Sequence, residues 1–186
     1  DEYARPLAFS LDTKLNLEFQ LGKHQDLQNT QKKILFIYKD LALRNPYQYR
    51  KDLANAYKLM GNILEKSKED GLNYLLEGIK IEEECLKEDY LGYAYNFISS
   101  CDNISLQYSK RSDAKNAITF ALKSFDAREN IQKLSPLKDD PLIINKAKEI
   151  SELFKKISDD KNQIFWINIV KEKIHSKLSK AEKENS

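Results

Sequence analysis

Glycine and proline are scarce in this chain, 5 and 4 among 186 residues. Sheets of short strands joined by tight turns need more of both, so the composition argues against an all-β architecture. Cysteine is limited to Cys85 and Cys101, too few for a disulfide framework. A reduced, cytoplasmic setting is the simpler expectation, although a mature exported domain with two buried thiols would have the same composition. There is no excess of one charge: 31 basic residues stand against 29 acidic, formally +2. Nucleic-acid modules carry a basic excess on one face, so no nucleic-acid partner is expected. No apolar run approaches the roughly 18 residues of a membrane span, and no membrane partner is expected. No basic region followed by an apolar core marks a signal peptide at the N-terminus. Asp1 is not an initiator Met, so the chain is expected to be a processed product or a fragment of a longer protein.

What the chain has is a repeat. With 41% hydrophobic and 32% charged residues, dominated by Leu, Ile, Tyr, Lys and Glu, it favours amphipathic helices over disorder. Leu53-Ala54, Tyr57, Met60-Gly61 and Leu64 step by three and four residues. Phe97-Ile98, Cys101, Ile104-Ser105 and Tyr108 do the same, as do Ile143-Ile144, Ala147, Ile150-Ser151 and Phe154. A weaker copy, Leu7-Ala8, Leu11 and Leu15, opens the chain. Each is one apolar stripe of a helix. Leu15, Gly61, Ser105 and Ser151 stand 46, 44 and 46 residues apart, a period that signals a helical solenoid.

A second helix follows each stripe. Its apolar face is Leu27, Ile34, Leu35, Tyr38 and Leu41 in the first pair and Leu72, Leu75, Leu76, Ile79 and Leu86 in the second. In the third it is Ala117, Phe120, Ala121, Ser124 and Phe125, and in the fourth Ile164, Ile167, Val170 and Ile174. Asn45-Pro46 and Asp140-Pro141 place a capping side chain before a proline at the first helical position, and Asp113 is positioned to cap another helix. The expected fold is all-α, an α-solenoid of four antiparallel helix pairs: 3–21 with 25–44, 47–66 with 70–88, 90–109 with 113–133, and 141–157 with 161–180. Each pair should touch mainly its neighbours.

These residues resemble the tetratricopeptide repeat, and most closely its longer variants. Tyr57, Met60, Gly61 and Leu64, with Gly71 and Gly78 in the small positions of the following helix, carry the resemblance in the second pair. Its internal turn is two residues shorter than usual. Cys101, Ile104, Ser105, Tyr108, Ala117 and Ser124 carry it in the third. The stretch from Ile34 to Pro46, followed by Tyr49 and Asp52-Leu53-Ala54, looks like the linker of bacterial tetratricopeptide arrays. Residues 1–134 then hold three repeat-like pairs, and 135–186 a divergent fourth pair acting as a C-terminal cap. The small residues let paired helices approach. Gly61 is expected to face its partner helix, with Gly61→Leu overpacking the contact and Gly61→Ala mild.

No catalytic, metal or cofactor site stands out. His24 and His175 are isolated, and no Gly-rich loop could cradle phosphate. Glu82-Glu83-Glu84 reads as a solvated face, because consecutive helical residues fan out by about 100° each. Charge alternates by helix: residues 23–51 carry a net +5, 69–89 a net −6 and 110–133 a net +3. That alternation fits a modest role in pairing register.

The resemblance implies a protein or peptide partner held in a concave groove lined by the first helix of each pair. The candidate binding residues on those helices are Phe9, Asn16, Asn55, Lys58, Asn62, Asp102, Asn103 and Lys148. Asparagines offer donor and acceptor to a peptide backbone. Lys58, Asn62 and Asn103 match the residues with which some family members clamp a C-terminal carboxylate, while Asn145 and Glu149 depart from that pattern. A peptide-sensing regulatory segment of a larger protein is the other expectation.

Overall fold

The computed structural model describes residues 3–22, 24–135 and 142–184. Helices occupy nearly all of them: α1 (Ala4–Gln20), α2 (His24–Arg44), α3 (Pro46–Lys66), α4 (Leu72–Glu88), α5 (Tyr90–Lys110), α6 (Ala114–Leu134), α7 (Ile143–Lys156) and α8 (Asp160–Glu184). These are the helices of the expected four pairs. The Asp140-Pro141 cap lies outside the described residues. The polar C-terminal stretch continues α8 to Glu184 instead of leaving it near residue 180.

Caps explain where the helices begin. Asn45 accepts a hydrogen bond from the Gln48 backbone N–H at 3.2 Å, with Pro46 at the head of α3. Asp113 caps α6 through the Asn116 N–H at 3.1 Å, and the Asn116 carboxamide donates back to Asp113 at 2.7 Å. Asp159 and Asn162 repeat both bonds at 3.1 and 2.7 Å at the head of α8. In each case the preceding residue, Ser112 or Ser158, has left-handed backbone, with φ of 60° and 55°. Ser-Asp-x-Lys-Asn therefore recurs 46 residues apart as a turn that ends one helix and starts the next.

The chain divides into two compact units, Asp1–Tyr93 and Ala94–Ser186. In the first, α1, α2, α3 and α4 pack in chain order. Leu15, Leu27, Ile34, Leu35, Ala56 and Ile63 form one buried cluster there, and Leu41, Ala42 and Tyr49 another. Gly61 and Gly71 mark the closest approach of α3 to α4. Ten residues separate them, against twelve between Ser105 and Ala117 or between Leu15 and Leu27, and the shorter connection draws the backbones together. A β-carbon on Gly61 would lie 2.8 Å from the Gly71 carbonyl oxygen and 2.7 Å from Leu75, and one on Gly71 would fall inside the Gly61 carbonyl. Gly61→Ala is therefore not mild: the opposing surface is backbone, which cannot rotate away.

In the second unit, Ala117, Ile118, Ala121 and Phe125 of α6 pack with Ile143, Ala147, Ile150 and Leu153 of α7 and Trp166 of α8. Ser105 on α5 donates its hydroxyl to the Ala117 carbonyl at 2.9 Å. The buried face of α8 differs from the expected one. Ile164 is 59% exposed and Ile167 38%, while Trp166 is buried edge-on against Phe125, centroids 4.8 Å apart. The largest side chain of the helix sets its rotation, and Ile169 and Val170 follow it inward.

Candidate functional site

The eight sequence-nominated residues divide between the two units. In the first, Phe9 on α1 is exposed, and the side chain of Asn16 lies outside the described residues, as do those of His24 and His175. Asn55, Lys58 and Asn62 share one face of α3: Asn55 is exposed, and the other two are half-buried. Asn62 is engaged with its surroundings. Lys58 extends over Gly78, whose missing side chain makes the room: a β-carbon there would meet Lys58 Cγ at 2.9 Å. The lysine ammonium ends 2.5 Å from Glu82 Oε1 on α4.

Glu82 corrects the reading of the Glu82-Glu83-Glu84 run as a solvated face. It is 3% exposed, the most buried carboxylate described. Only Glu84 behaves as expected, exposed and paired with Lys87 at 2.6 Å. The helical fan that separates the three directions is what turns Glu82 inward. Arg50 also pairs with Glu88, adding another ion pair between α3 and α4.

In the second unit Asp102 and Asn103 sit side by side on α5. Asp102 accepts from Arg128 of α6 at 2.9 Å and pairs with Lys146 of α7 at 2.8 Å. Lys146 also meets Glu149 at 2.5 Å. Arg128 and Lys146 are 6% exposed each, while Asp102 is half-buried and Glu149 exposed, so two buried cations meet two carboxylates that still reach water. Asn103 accepts from Gln107 at 3.2 Å, and Lys148 on α7 is exposed.

The two ion pairs occupy matching places. Lys58 and Asp102 are 44 residues apart, Glu82 and Arg128 46 apart, which are the repeat intervals themselves. A cation on the first helix and a carboxylate on the second become the reverse in the next pair. That reciprocity was legible as charge reversal at the repeat period.

Sequence reading passed over Gln31 of α2. It is 0% exposed, and it donates its amide to the Ala56 carbonyl of α3 at 2.8 Å. Donation to a carbonyl fixes which end of the amide is which, and leaves Gln31 Oε1 buried without a hydrogen bond. Asp52, also on α3, is half-buried, and burial holds its carboxyl above the ordinary range against the pull of Arg5 and Lys51. Burial likewise raises the Asp126 carboxyl, whereas the Asn116 and Asn162 bonds lower those of Asp113 and Asp159.

Cys85 and Cys101 are buried and form no disulfide, and burial pushes the Cys85 thiol up, away from the thiolate. Among the described residues no group of three or more His, Cys, Asp or Glu is placed to hold a metal ion. No described helix is long and apolar enough to cross a membrane.

With the geometry in place, solved structures offer a comparison. The apo form of RapI superposes with a TM-score of 0.63 at 13% identity, over 95% of this chain and 60% of that one, so the chain spans only part of RapI's length. BtubC from P. vanneervenii gives 0.54 at 13% identity, over 96% and 87% of the two chains. A protein described as a kinesin light chain with nearly identical TPR-like repeats, from Podosopora anserina, gives 0.51 at 15% identity over 87% and 72%. No family model and no curated protein sequence matches the chain. The fold is an all-α helical repeat of the tetratricopeptide-like, α-solenoid class.

Proposed function

We propose that this tetratricopeptide-like chain is a protein-interaction module that holds an extended or helical segment of a partner along the first helices of its pairs. The supporting observation is the composition of those faces. On α3, Asn55, Leu59 and Asn62 follow one another at spacings of four and three, and Leu59 is 39% exposed. On α5, Tyr95 and Leu106 are 52% and 51% exposed on either side of Ser99 and Asp102. Amides beside apolar side chains suit a peptide, whose backbone needs donors and acceptors while its side chains need apolar seats. Phe9, Asn16, Asn103 and Lys148 extend the same reading along α1, α5 and α7.

Two nominated residues take changed roles within it. The Lys58 ammonium is neutralised by Glu82, and Asp102 by Arg128 and Lys146. Their charges organise the helices, and the contact with a partner falls to the amides and apolar residues. Capture of a C-terminal carboxylate is disfavoured for that reason, since its leading cation is already paired. A regulatory segment whose ligand acts on another part of a longer protein would share the same first binding step.

The test is a displayed peptide library selected against the chain, with affinities measured for variants. Asn62→Ala should weaken a selected peptide about five- to a hundredfold, the loss of a hydrogen bond worth about 1–3 kcal/mol. Glu83→Ala, on α4, should leave affinity unchanged. The opposite pattern would move the interface to the second helices and end this assignment.

A further inference from the structure

Between α2 and α3 lies a cleft of about 150 Å³, lined by Gln31, Ile34 and Tyr38 on one side and Asp52, Asn55 and Leu59 on the other. Its polar lining is unbalanced. Gln31 spends its amide N–H on Ala56, so Gln31 Oε1 is an acceptor shut off from water with no donor. Asp52 is a second acceptor. Among the described residues neither Arg5 nor Lys51 closes an ion pair with it, although both lie near enough to stabilise its charge. Asn55 adds an exposed carboxamide at the mouth. Ile34, Tyr38 and Leu59 supply apolar wall. A buried acceptor without a donor beside a half-buried carboxylate, in a space large enough for several waters, selects for a ligand rich in N–H and positively charged.

We propose that this cleft seats an arginine side chain of the bound segment, its guanidinium donating to Asp52 and, after a small turn of the Gln31 side chain toward the cleft, to Gln31 Oε1, with its methylene stem against Ile34, Tyr38 and Leu59. The guanidinium fits on three counts. It is planar with five donors, enough to meet both Asp52 and the Gln31 oxygen at once. It can engage a carboxylate with two parallel bonds and still have N–H groups to spare. It is more weakly hydrated than an ammonium, so entry into a part-apolar cleft sacrifices less solvation than a lysine would. The inference rests on the proposed binding mode, since Asn55 belongs to the cleft and to the row on α3. It deepens that mode by giving the segment a required residue type.

The ligand is unidentified, so the probes are N-acetyl-arginine amide and N-acetyl-citrulline amide, which share a shape and differ in charge. Each is titrated into the whole ¹⁵N-labelled chain and followed by NMR. The arginine probe should shift the Gln31 side-chain NH₂ and the Asn55 backbone signals saturably, and the citrulline probe should bind at least tenfold more weakly. Asp52→Asn should cut arginine affinity tenfold or more while leaving the rest of the spectrum in place. Gln31→Met, of similar volume, should also weaken it; if that variant is unfolded, Asp52→Asn decides alone. Equal response to both probes, arginine affinity unchanged by Asp52→Asn, or shifts confined elsewhere would overturn the proposal. The two readings fail separately. A selected peptide sensitive to Asn62→Ala beside a silent arginine probe removes the cleft and keeps the binding face. A responsive arginine probe beside peptides indifferent to Asn62→Ala does the reverse.

Discussion

Gly61 and Gly71 show how much a single hydrogen can decide. Helix propensity alone favours alanine over glycine by about 1 kcal/mol at a mid-helix site. Here that gain is opposed by contact between backbones. Gly61→Ala must push against Leu75 and the Gly71 carbonyl, and Gly71→Ala against the Gly61 peptide itself. Thermal melts should show both variants destabilised by about 1–3 kcal/mol, with Gly71→Ala at or beyond the upper end and Gly61→Leu worse than Gly61→Ala. Asp52 makes a prediction of opposite sign. Its folded pKa is raised, so the fold favours the protonated form; the associated stability is present below the unfolded pKa and is lost as pH rises through the folded one. Asp52→Asn should therefore raise the melting temperature at neutral pH, and the gain should vanish below about pH 4, where both states hold the proton.

At the scale of the element, the turns are as informative as the helices. Lys68, Ser112 and Ser158 each hold left-handed backbone without being glycine, with φ of 60°, 60° and 55°. That conformation costs a residue with a β-carbon about 1–2 kcal/mol, part of which glycine returns through greater unfolded-state freedom. Ser112→Gly and Ser158→Gly should each stabilise the chain by about 0.5–1 kcal/mol in denaturant melts. The aspartates that follow them behave oppositely to Asp52. Hydrogen bonds from Asn116 and Asn162 lower their pKa values, so the stability they add is present above the ordinary carboxylate range and lost as pH falls through the folded values. Asp113→Ser keeps a cap but removes the charge. Its melting temperature should lie below that of the parent at neutral pH, and the gap should close as the solution is acidified below about pH 4.

For the molecule as a whole, opposite ion pairs at matching places give the second and third hairpins different pairing codes. Lys58 fits Glu82 and Asp102 fits Arg128; exchanging the second helices would set Lys58 against a cation and Asp102 against a carboxylate. Like charges held together cost stability, so the code disfavours wrong partners more than it strengthens right ones. Glu82→Ala should cost about 3 kcal/mol or more, because it leaves Lys58 without its counter-charge. Lys58→Met with Glu82→Leu should recover that loss, since a buried pair replaced by packed apolar side chains is often neutral or better. If the double variant is as weak as the single one, the pair contributes stability of its own and the specificity argument fails.

The amino-acid pattern by itself determined the elements. Apolar stripes at three and four residues, repeated at 46, 44 and 46, specify helix pairs, and Asn45 and Asp113 place helix starts, because both signals act within one helix or across one turn. Small residues at Gly61, Gly71 and Gly78 likewise announced close helix contacts. Only the tertiary structure decided what lies opposite each side chain. It turned Trp166 inward and Ile164 outward, buried Glu82 by giving it Lys58, and left Gln31 with half its amide unsatisfied beside Asp52. Periodicity fixes the angle at which a residue leaves its helix. Burial, pairing and an unfilled acceptor depend on the neighbouring helix, which the local pattern does not encode.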